Sequence, residues 1–430
     1  MIVMIMMKDA IWLCAYVCVL AWLLVALPTI EAGDDNKDND NDNDNDSNNN
    51  GGFTELVAWM RNHGGHVDDS FDMKLIDGVR GGVAVNDIGE GTELMRCPWE
   101  LVIGSSSFEQ QMPQTSQDMC RVVQKISAEL RLEKQSLWYW YLTLHHDSIL
   151  NTRLPALWGR EALDELQRLP PRQDADRHLR WLVEECGVDH TNLTTDPHIL
   201  EALVLFVTRA TAVGMVPIYD LFNHHNGKRN AKLHVAKSGV QLIALEPIAA
   251  GDQIFISYGV KSAPTMFNNY GFVESWPQIW AWTDHDNSSH TLAFLEGEAA
   301  LYPNTEFLKE FWRRSGAESS LQAFQALAVE QNLKLPKDIV SIFMTSARNK
   351  LLNFLTTIDE DIIILKERKD NLSLTTTNSA TSRTINDDII VLRDSIAAVE
   401  YRINFKQALQ TGLDKSTTLL ELITSGNDEL

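Results

Sequence analysis

The sequence predicts an α+β protein, a β-rich fold interrupted by a helical insert and followed by a helical C-terminal half. Three observations predict it. Short apolar runs broken by glycine turns occupy Met73 to Gly104, as strands and hairpins do. From about Gln117 to Gly214 the apolar residues recur at helical spacing. Strand signals return from Val216 to Gly259, and helical periodicity resumes beyond them.

Each segment has its own reason. Ile11 to Leu27 is almost wholly apolar, with Lys8 before it and Pro28 and Ala32-Gly33 after it. That pattern predicts a secretory signal peptide over residues 1–32, cleaved near Ala32; an uncleaved signal anchor is the alternative, and the one route by which the chain would meet a membrane. Either places the folded part outside the cytosol. Residues 33–52, GDDNKDNDNDNDNDSNNNGG, bury too little apolar area to offset their chain entropy and predict a disordered acidic linker. The run lacks the spacing and turn glycine of an EF-hand loop. Phe53 to Gly65 predicts a lead-in helix with a glycine stop.

The insert spans about residues 105–215, and Ser262 to Phe272 closes the β part with a helical turn. Residues 276–425 predict an all-helical region, with the Ser/Thr/Asn-rich stretch Asn371 to Thr384 as a loop. The last four residues, Asn427-Asp428-Glu429-Leu430, resemble the KDEL/HDEL retrieval signal of the endoplasmic reticulum. Together with the leader they predict residence in the lumen; a plastid reached through the secretory route is the alternative. Sequons at Asn45, Asn192, Asn287 and Asn371 permit glycosylation.

A formal net charge of −22 argues against nucleic acid or an anionic membrane as the main partner. The aromatic cluster Trp138-Tyr139-Trp140-Tyr141 lacks a basic surround and is read as core packing of the insert. Cys97, Cys120 and Cys186 are too few for a disulfide framework or a zinc site; they are read as partly buried free thiols, with one bridge open to an oxidising lumen. His145 and His146 are adjacent and so face different sides of a helix, and no metal site is expected.

The chemistry-bearing residues gather in Val216 to Ser275. Asp220, Asn223 and His224 form one polar turn, and Ser257-Tyr258-Gly259 ends the following strand. Asn269-Tyr270-Gly271-Phe272 comes next; upstream lie Gly78-Val79-Arg80-Gly81-Gly82-Val83 and the pair Thr208-Arg209. Together these resemble the motifs of the SET domain, the knotted β-fold of protein methyltransferases. The helical insert, the helical C-terminal region and the absence of a following zinc-binding Cys cluster resemble one subgroup: the Rubisco large-subunit methyltransferase type and its actin-histidine relative. The resemblance implies a SET domain over residues 53–275 and a C-terminal domain over 276–425 that helps engage a protein substrate.

It also implies S-adenosylmethionine as methyl donor. Arg80 and Gly81 would meet it through the main chain, because glycines beside a strand allow close backbone approach. Asn223 and His224 carry donors and acceptors suited to its amino, carboxylate and adenine groups, with Asp220 in support. Arg209, between apolar flanks, would lie buried near the donor pocket; Tyr270 and Phe272 would wall the donor and acceptor channel. Tyr258 would be the catalytic residue. Methyl transfer to nitrogen is an in-line displacement governed by alignment and dipoles, and a phenol near pKa ~10 is a poor base at neutral pH. The expected function is protein N-methylation on lysine, with histidine open, by a monomer acting on a protein substrate. The alternative is a SET-like lumenal binding module with reduced or lost turnover.

Overall fold

The computed structural model describes residues 51–76, 79–104, 115–151, 154–167, 169–259, 261–274, 278–283, 289–295, 298–302, 337–378 and 383–424. The leader, the acidic linker up to Asn50, Gly78, the sequons at Asn45 and Asn287, the predicted helices between 303 and 336 and the terminal Asn-Asp-Glu-Leu lie outside these residues. No helix among the described residues is long and apolar enough to cross a membrane.

Helix α1 (Gly51–Asn62) buries Phe53, Leu56, Trp59 and Met60, one apolar face at helical spacing. Gly64, at φ +81°, ends it in the left-handed conformation that glycine adopts without strain. Strands β1 (His66–Val67) and β4 (Glu93–Cys97) join β6 (Ala231–Ala236) and β7 (Gly239–Ala244) in an antiparallel sheet of order β1-β4-β7-β6. β2 (Phe71–Ile76) and β3 (Val79–Ala84) form a hairpin. β5 (Asn223–His224) and β8 (Phe255–Ile256) pair in parallel, Asn223 opposite Phe255 and His224 opposite Ile256.

The insert is closed at its root. Ile103 and Met215 exchange two main-chain hydrogen bonds, 3.0 and 2.9 Å. Gly214 makes the approach feasible, since a Cβ there would stand 2.4 Å from the Ile103 carbonyl oxygen. Everything between therefore leaves and re-enters the β-fold at one point.

Inside the insert, α2 (Ser116–Leu132) starts on a capping box of Thr115 and Asp118. α3 (Tyr139–Asn151), α4 (Arg160–Glu165), α5 (Pro170–Gln173), α6 (Arg177–Glu184), α7 (His190–Thr195) and α8 (Pro197–Arg209) follow. Trp181 Nε1 donates to Ser116 Oγ (2.8 Å) and Gln117 Nε2 to the Glu185 carbonyl (2.9 Å), drawing the end of α6 to the first turns of α2. Cys120 and Cys186 are thereby brought to a Cα separation of 5.3 Å and are joined in a disulfide. This corrects the expectation of three free thiols; of the three, Cys97 remains a buried thiol.

After α9 (Ala263–Tyr270), the C-terminal region opens with strands where the sequence predicts helix. β9 (Gln278–Thr283), β10 (Ser289–Leu295) and β11 (Glu298–Tyr302) form an antiparallel sheet of order β11-β10-β9. Trp280 and Trp282, two residues apart, both turn into the core, a period-2 signal too short to outweigh its helical surroundings. Helices α10 (Lys337–Leu352), α11 (Ile358–Asn378) and α12 (Arg383–Thr424) follow. The predicted loop at Asn371 is thus helical as far as Asn378. Thr375 satisfies its hydroxyl on the Asn371 carbonyl, four residues back (2.8 Å), and packing of α11 along α12 overrides the weak propensity.

Two apolar cores result. One joins α1, the strands that precede α9 and most of the insert. The other runs through Trp158, Leu166, Phe267, Trp280, Tyr401 and Phe405, fastening insert, α9 and the C-terminal region together. The disulfide closes a separation of 66 residues, which in the chain-entropy account stabilises by up to about 4 kcal/mol. Peptide mapping without reductant should recover Cys120 linked to Cys186. Cys120→Ser should lower stability by about 2–4 kcal/mol in denaturant titration, whereas a free Cys120 in oxidised protein would refute the bridge.

Candidate functional site

Three segments far apart in sequence meet at the site. β3 lies against residues 252–254, with Ile254 N donating to Gly82 O (2.8 Å) and Ala84 N to Asp252 O (2.9 Å). The same stretch of β3 rests on Phe222 and Asn223. A Cβ at Gly82 would stand 2.3 Å from the Phe222 ring, and one at Gly81 would stand 2.5 Å from the Asn223 amide nitrogen. These glycines make room for the protein's own side chains. The sequence ascribes their smoothness to a ligand's approach; in the structure the first group to use it is the Asn-His turn.

That turn is held under strain. Ile218, buried and β-branched, adopts φ +72° and ψ −45° immediately before the short 3-10 turn Tyr219–Leu221. Such a conformation costs on the order of 1–3 kcal/mol and persists only where its surroundings enforce it. It sets Asp220 in the interior, where Oδ2 accepts from Tyr141 Oη at 2.5 Å and lies 3.4 Å from His145 Nε2. Burial, then Asp220, raise the Tyr141 phenol well above its ordinary value, while burial lowers the His145 imidazole. Asp220 is therefore fixed by a neutral phenol and a neutral imidazole. Arg209 donates to the main-chain oxygen of Asp220 at 2.6 Å and is half-buried beside it. Arg80 turns its guanidinium to the Leu144 carbonyl in α3 (3.2 Å).

Tyr258 stands at the centre. Its hydroxyl donates to the Phe222 carbonyl at 2.9 Å, and its ring stacks on His224 at 5.0 Å between centroids. Tyr270 lies 5.0 Å from Tyr258, Phe272 lies 6.2 Å from Tyr270, and His224 closes the circuit 6.4 Å from Phe272. Burial pushes the Tyr258 and Tyr270 phenols above the ordinary tyrosine value. Lys261 reaches back to the Tyr258 carbonyl (2.5 Å) and lies 5.9 Å from the centre of the Tyr270 ring; burial lowers its pKa.

Two predicted roles are refined. The His224 ring is fully buried and both its nitrogens face the protein, Nδ1 toward Tyr258 N (3.0 Å) and Nε2 toward Glu274 (3.1 Å). Only its main chain is left to meet a ligand. Asn223, by contrast, is only half-buried; its amide lies against Gly81, and its side chain makes no hydrogen bond among the described residues. The sequence pattern does not mark Tyr141, His145, Lys261 or Glu274 as site residues. Tyr141 and His145 sit four apart on one helical face, a signal the aromatic run around them conceals. On the opposite flank His178 reaches Asn269, the neighbour of Tyr270, at 3.2 Å; burial, then Arg177, lower its pKa to about 4.

A separate cleft of about 540 Å³ lies between the insert and the C-terminal helices, lined by Pro155, Leu163, Gln167, Arg172, Lys350 and Phe354 among others. No group of His, Cys, Asp and Glu among the described residues is arranged to hold a metal ion.

No family model matches the chain. Over 63 residues it is 36% identical to N-lysine methyltransferase SETD6 of Homo sapiens, 15% of this chain and 13% of that protein. The Bos taurus protein of the same name is 35% identical over 63 residues, 15% and 14% of the two chains. An uncharacterised protein of Schizosaccharomyces pombe is 26% identical over 89 residues, 19% of each chain. The matches span less than a fifth of the length of these curated relatives. Among solved structures, Rubisco LSMT bound to AdoMet aligns with 87% of this chain and 93% of its own, at a TM-score of 0.52 and 16% identity. The SET domain of LSMT bound to lysine and AdoHcy aligns with 86% of this chain and 93% of its own, at 0.52 and 16%. The chain shares the fold of these SET-domain structures over most of its length.

The glycine contact yields a direct test. Gly82→Ala should cost about 1–3 kcal/mol through overpacking against Phe222, and Phe222→Leu should recover part of that loss in the double variant. Additive losses in thermal unfolding would show that the two residues do not share the space assigned to them.

Proposed function

We propose that the protein is an S-adenosylmethionine-dependent N-methyltransferase that acts on a lysine side chain of a protein substrate. One observation carries the reading: Tyr258 is locked onto the Phe222 carbonyl inside a circuit of four aromatic rings, beside an Asn223 amide that no described residue engages. The solved structures with this fold are described as bound to AdoMet, or to AdoHcy with lysine or methyl-lysine. Those ligands favour lysine over histidine as acceptor.

The residues suit a zwitterionic donor. Asn223 offers both a carbonyl oxygen and an NH2 group, and the half-exposed ring of Phe272 offers an apolar wall. When bound, the donor supplies an electrophilic methyl group on a positively charged sulfur. The Tyr258 hydroxyl donates its proton to the Phe222 carbonyl, so its oxygen keeps lone pairs that can accept an amine N–H. Its raised pKa keeps it neutral, and it orients the acceptor without removing a proton. The amine must arrive uncharged, its proton passing to water. The faces of Tyr258 and Tyr270 stabilise the positive charge that develops on nitrogen. The substrate chain would dock along the cleft between insert and C-terminal helices, whose lining residues Asn353 and Phe354 are chain neighbours of Leu352 and Leu355, 82% and 85% exposed.

We further propose that this reaction takes place in the lumen of the endoplasmic reticulum. The apolar leader, the terminal Asn-Asp-Glu-Leu and the Cys120–Cys186 disulfide support that address, because disulfides persist in oxidising compartments.

Calorimetry with S-adenosylmethionine, and transfer of a tritiated methyl group from it to lumenal extract, test the activity; neither binding nor transfer would leave the binding-module reading in its place. Tyr258→Phe should keep donor affinity and lose about a hundredfold or more in turnover; unchanged turnover refutes the role assigned to the hydroxyl. For the address, a tag fused after Leu430 should divert the protein to the medium. Retention of the tagged protein would reject retrieval and favour the signal anchor.

A further inference from the structure

We infer that Glu274 is a positioning residue for this site: its carboxylate fixes the tautomer of His224 and, through it, the main chain on which Tyr258 is mounted. The inference rests on the role proposed for Tyr258, and it starts from a proton count. His224 Nδ1 lies 3.0 Å from Tyr258 N. A main-chain N–H can only donate, so Nδ1 must be the bare nitrogen. The ring proton is then on Nε2, which points at Glu274 Oε2 at 3.1 Å. The hydrogen bond at one nitrogen dictates the state of the other, so a partner that accepts at Nε2 selects the form able to accept from Tyr258.

Glu274 meets donors on every side. Oε1 accepts from Asn226 N at 2.6 Å, and Oε2 also lies 3.3 Å from Asn226 Nδ2. His225 Nδ1, 3.9 Å from Oε1, accepts from Lys228 N at 3.1 Å and so is not a donor to the carboxylate; burial lowers the pKa of His225. An ionised carboxylate has acceptors only, which is what three converging N–H groups need. Asn226 extends the arrangement. Its Oδ1 accepts from Ser257 Oγ at 2.7 Å and its Nδ2 reaches toward Gly259 O at 3.5 Å, so both neighbours of Tyr258 are tied to the same carboxylate. Glu274 also lies two residues beyond Phe272 and four beyond Tyr270. One buried side chain thus anchors the segment bearing two of the four rings to the turn bearing the third and the strand end bearing the fourth.

Glutamine has the shape of glutamate but one oxygen and one NH2. In Glu274→Gln three donors face a single acceptor. If the amide NH2 turns to His224, the imidazole must move its proton to Nδ1, where it opposes the Tyr258 N–H.

Long-range nitrogen–proton NMR of the full chain labelled at histidine nitrogens, with the signal assigned by His224→Ala, reads this directly. The wild type should show His224 as the Nε2–H form, and Glu274→Gln should convert or mix it. Methyl transfer should fall about tenfold or more in kcat with acceptor KM changed less than about threefold. In the His224→Ala background the same substitution should cost clearly less in kcat than it does alone, because only the route through Asn226 is then left to it and residues that act through one another give a non-additive cycle. An unchanged tautomer in Glu274→Gln, or losses that add in the double variant, overturns the inference. Should Glu274→Gln fail to fold, Glu274→Asp keeps both acceptor oxygens one methylene shorter; it should retain part of the Nε2–H signal, and a full switch to Nδ1–H with unaltered turnover overturns the inference. The tautomer is measured without substrate, so a wild type that shows the Nε2–H form yet neither binds donor nor transfers methyl would reject the proposed function and leave the clamp standing.

Discussion

The site depends on a close approach that two glycines permit. With any side chain at residue 82 the Phe222 ring would have to leave, and with any at residue 81 the Asn223 amide would. Phe222 supplies the carbonyl that holds the Tyr258 hydroxyl, and Asn223-His224 is the strand that pairs with Phe255-Ile256. Contact between β3 and this turn therefore fixes, in one step, the height of the tyrosine, the register of the parallel pair and the exposure of the asparagine. A ring in van der Waals contact with a backbone has almost no freedom, which is what an alignment-driven reaction needs.

A second constraint acts at a distance. Asp361 of α11 is fully buried between Arg402 and Lys406 of α12, at 2.7 and 2.6 Å, and Arg402 also reaches Glu165 of α4 at 3.1 Å. Lys406 is further satisfied by the Thr356 carbonyl at 2.6 Å. Burial alone would raise the Asp361 pKa, but hydrogen bonds from Arg402, Lys406 and Thr356 outweigh it and bring it below the ordinary value. Such a cluster adds little over a well-packed apolar substitute, yet losing one partner costs about 3–5 kcal/mol. Its effect here is geometric: the charges hold α11 and α12 against α4 of the insert, next to the chain that lines the separate cleft.

The motif-bearing parts of this arrangement were legible in the sequence because they are local. The Asn-His turn, the Ser-Tyr-Gly strand end and the Tyr-Gly-Phe segment each carry their pattern within a few residues. The change from period 2 to helical spacing and back marks the insert. What escaped was set by contacts between distant segments. Glu274 lies inside the most informative stretch, but a glutamate near a segment end reads as solvated until three donors are seen to close over it. Cys120 and Cys186 share no local signature; their meeting follows from how α6 returns to α2. The strands at 278–302 failed for a different reason: a six-residue run with two inward tryptophans is outvoted by the longer helical patterns around it.

The electrostatics of the site follow from the charge balance of the proposed reaction. Methyl transfer from a sulfonium to an amine begins and ends with one positive charge, moved a few ångströms. No permanent anion is needed to stabilise it, and a close carboxylate would hold the donor's charge in place as firmly as the product's. The structure fits that requirement. Asp220 is the nearest carboxylate on the turn, and it is occupied by Tyr141 and backed by His145, with Arg209 on its main-chain oxygen. Glu274 is occupied by three N–H groups. What remains around Tyr258 is a neutral hydroxyl oxygen and a set of aromatic faces, dipoles and quadrupoles that can follow a charge as it moves. Burial, which lowers Lys261 and raises both phenols, works in the same direction by making every added charge expensive. An acceptor amine entering such a site is favoured in its neutral form, the form that carries the lone pair, so the environment that aligns the reaction also selects the reactive state of its substrate.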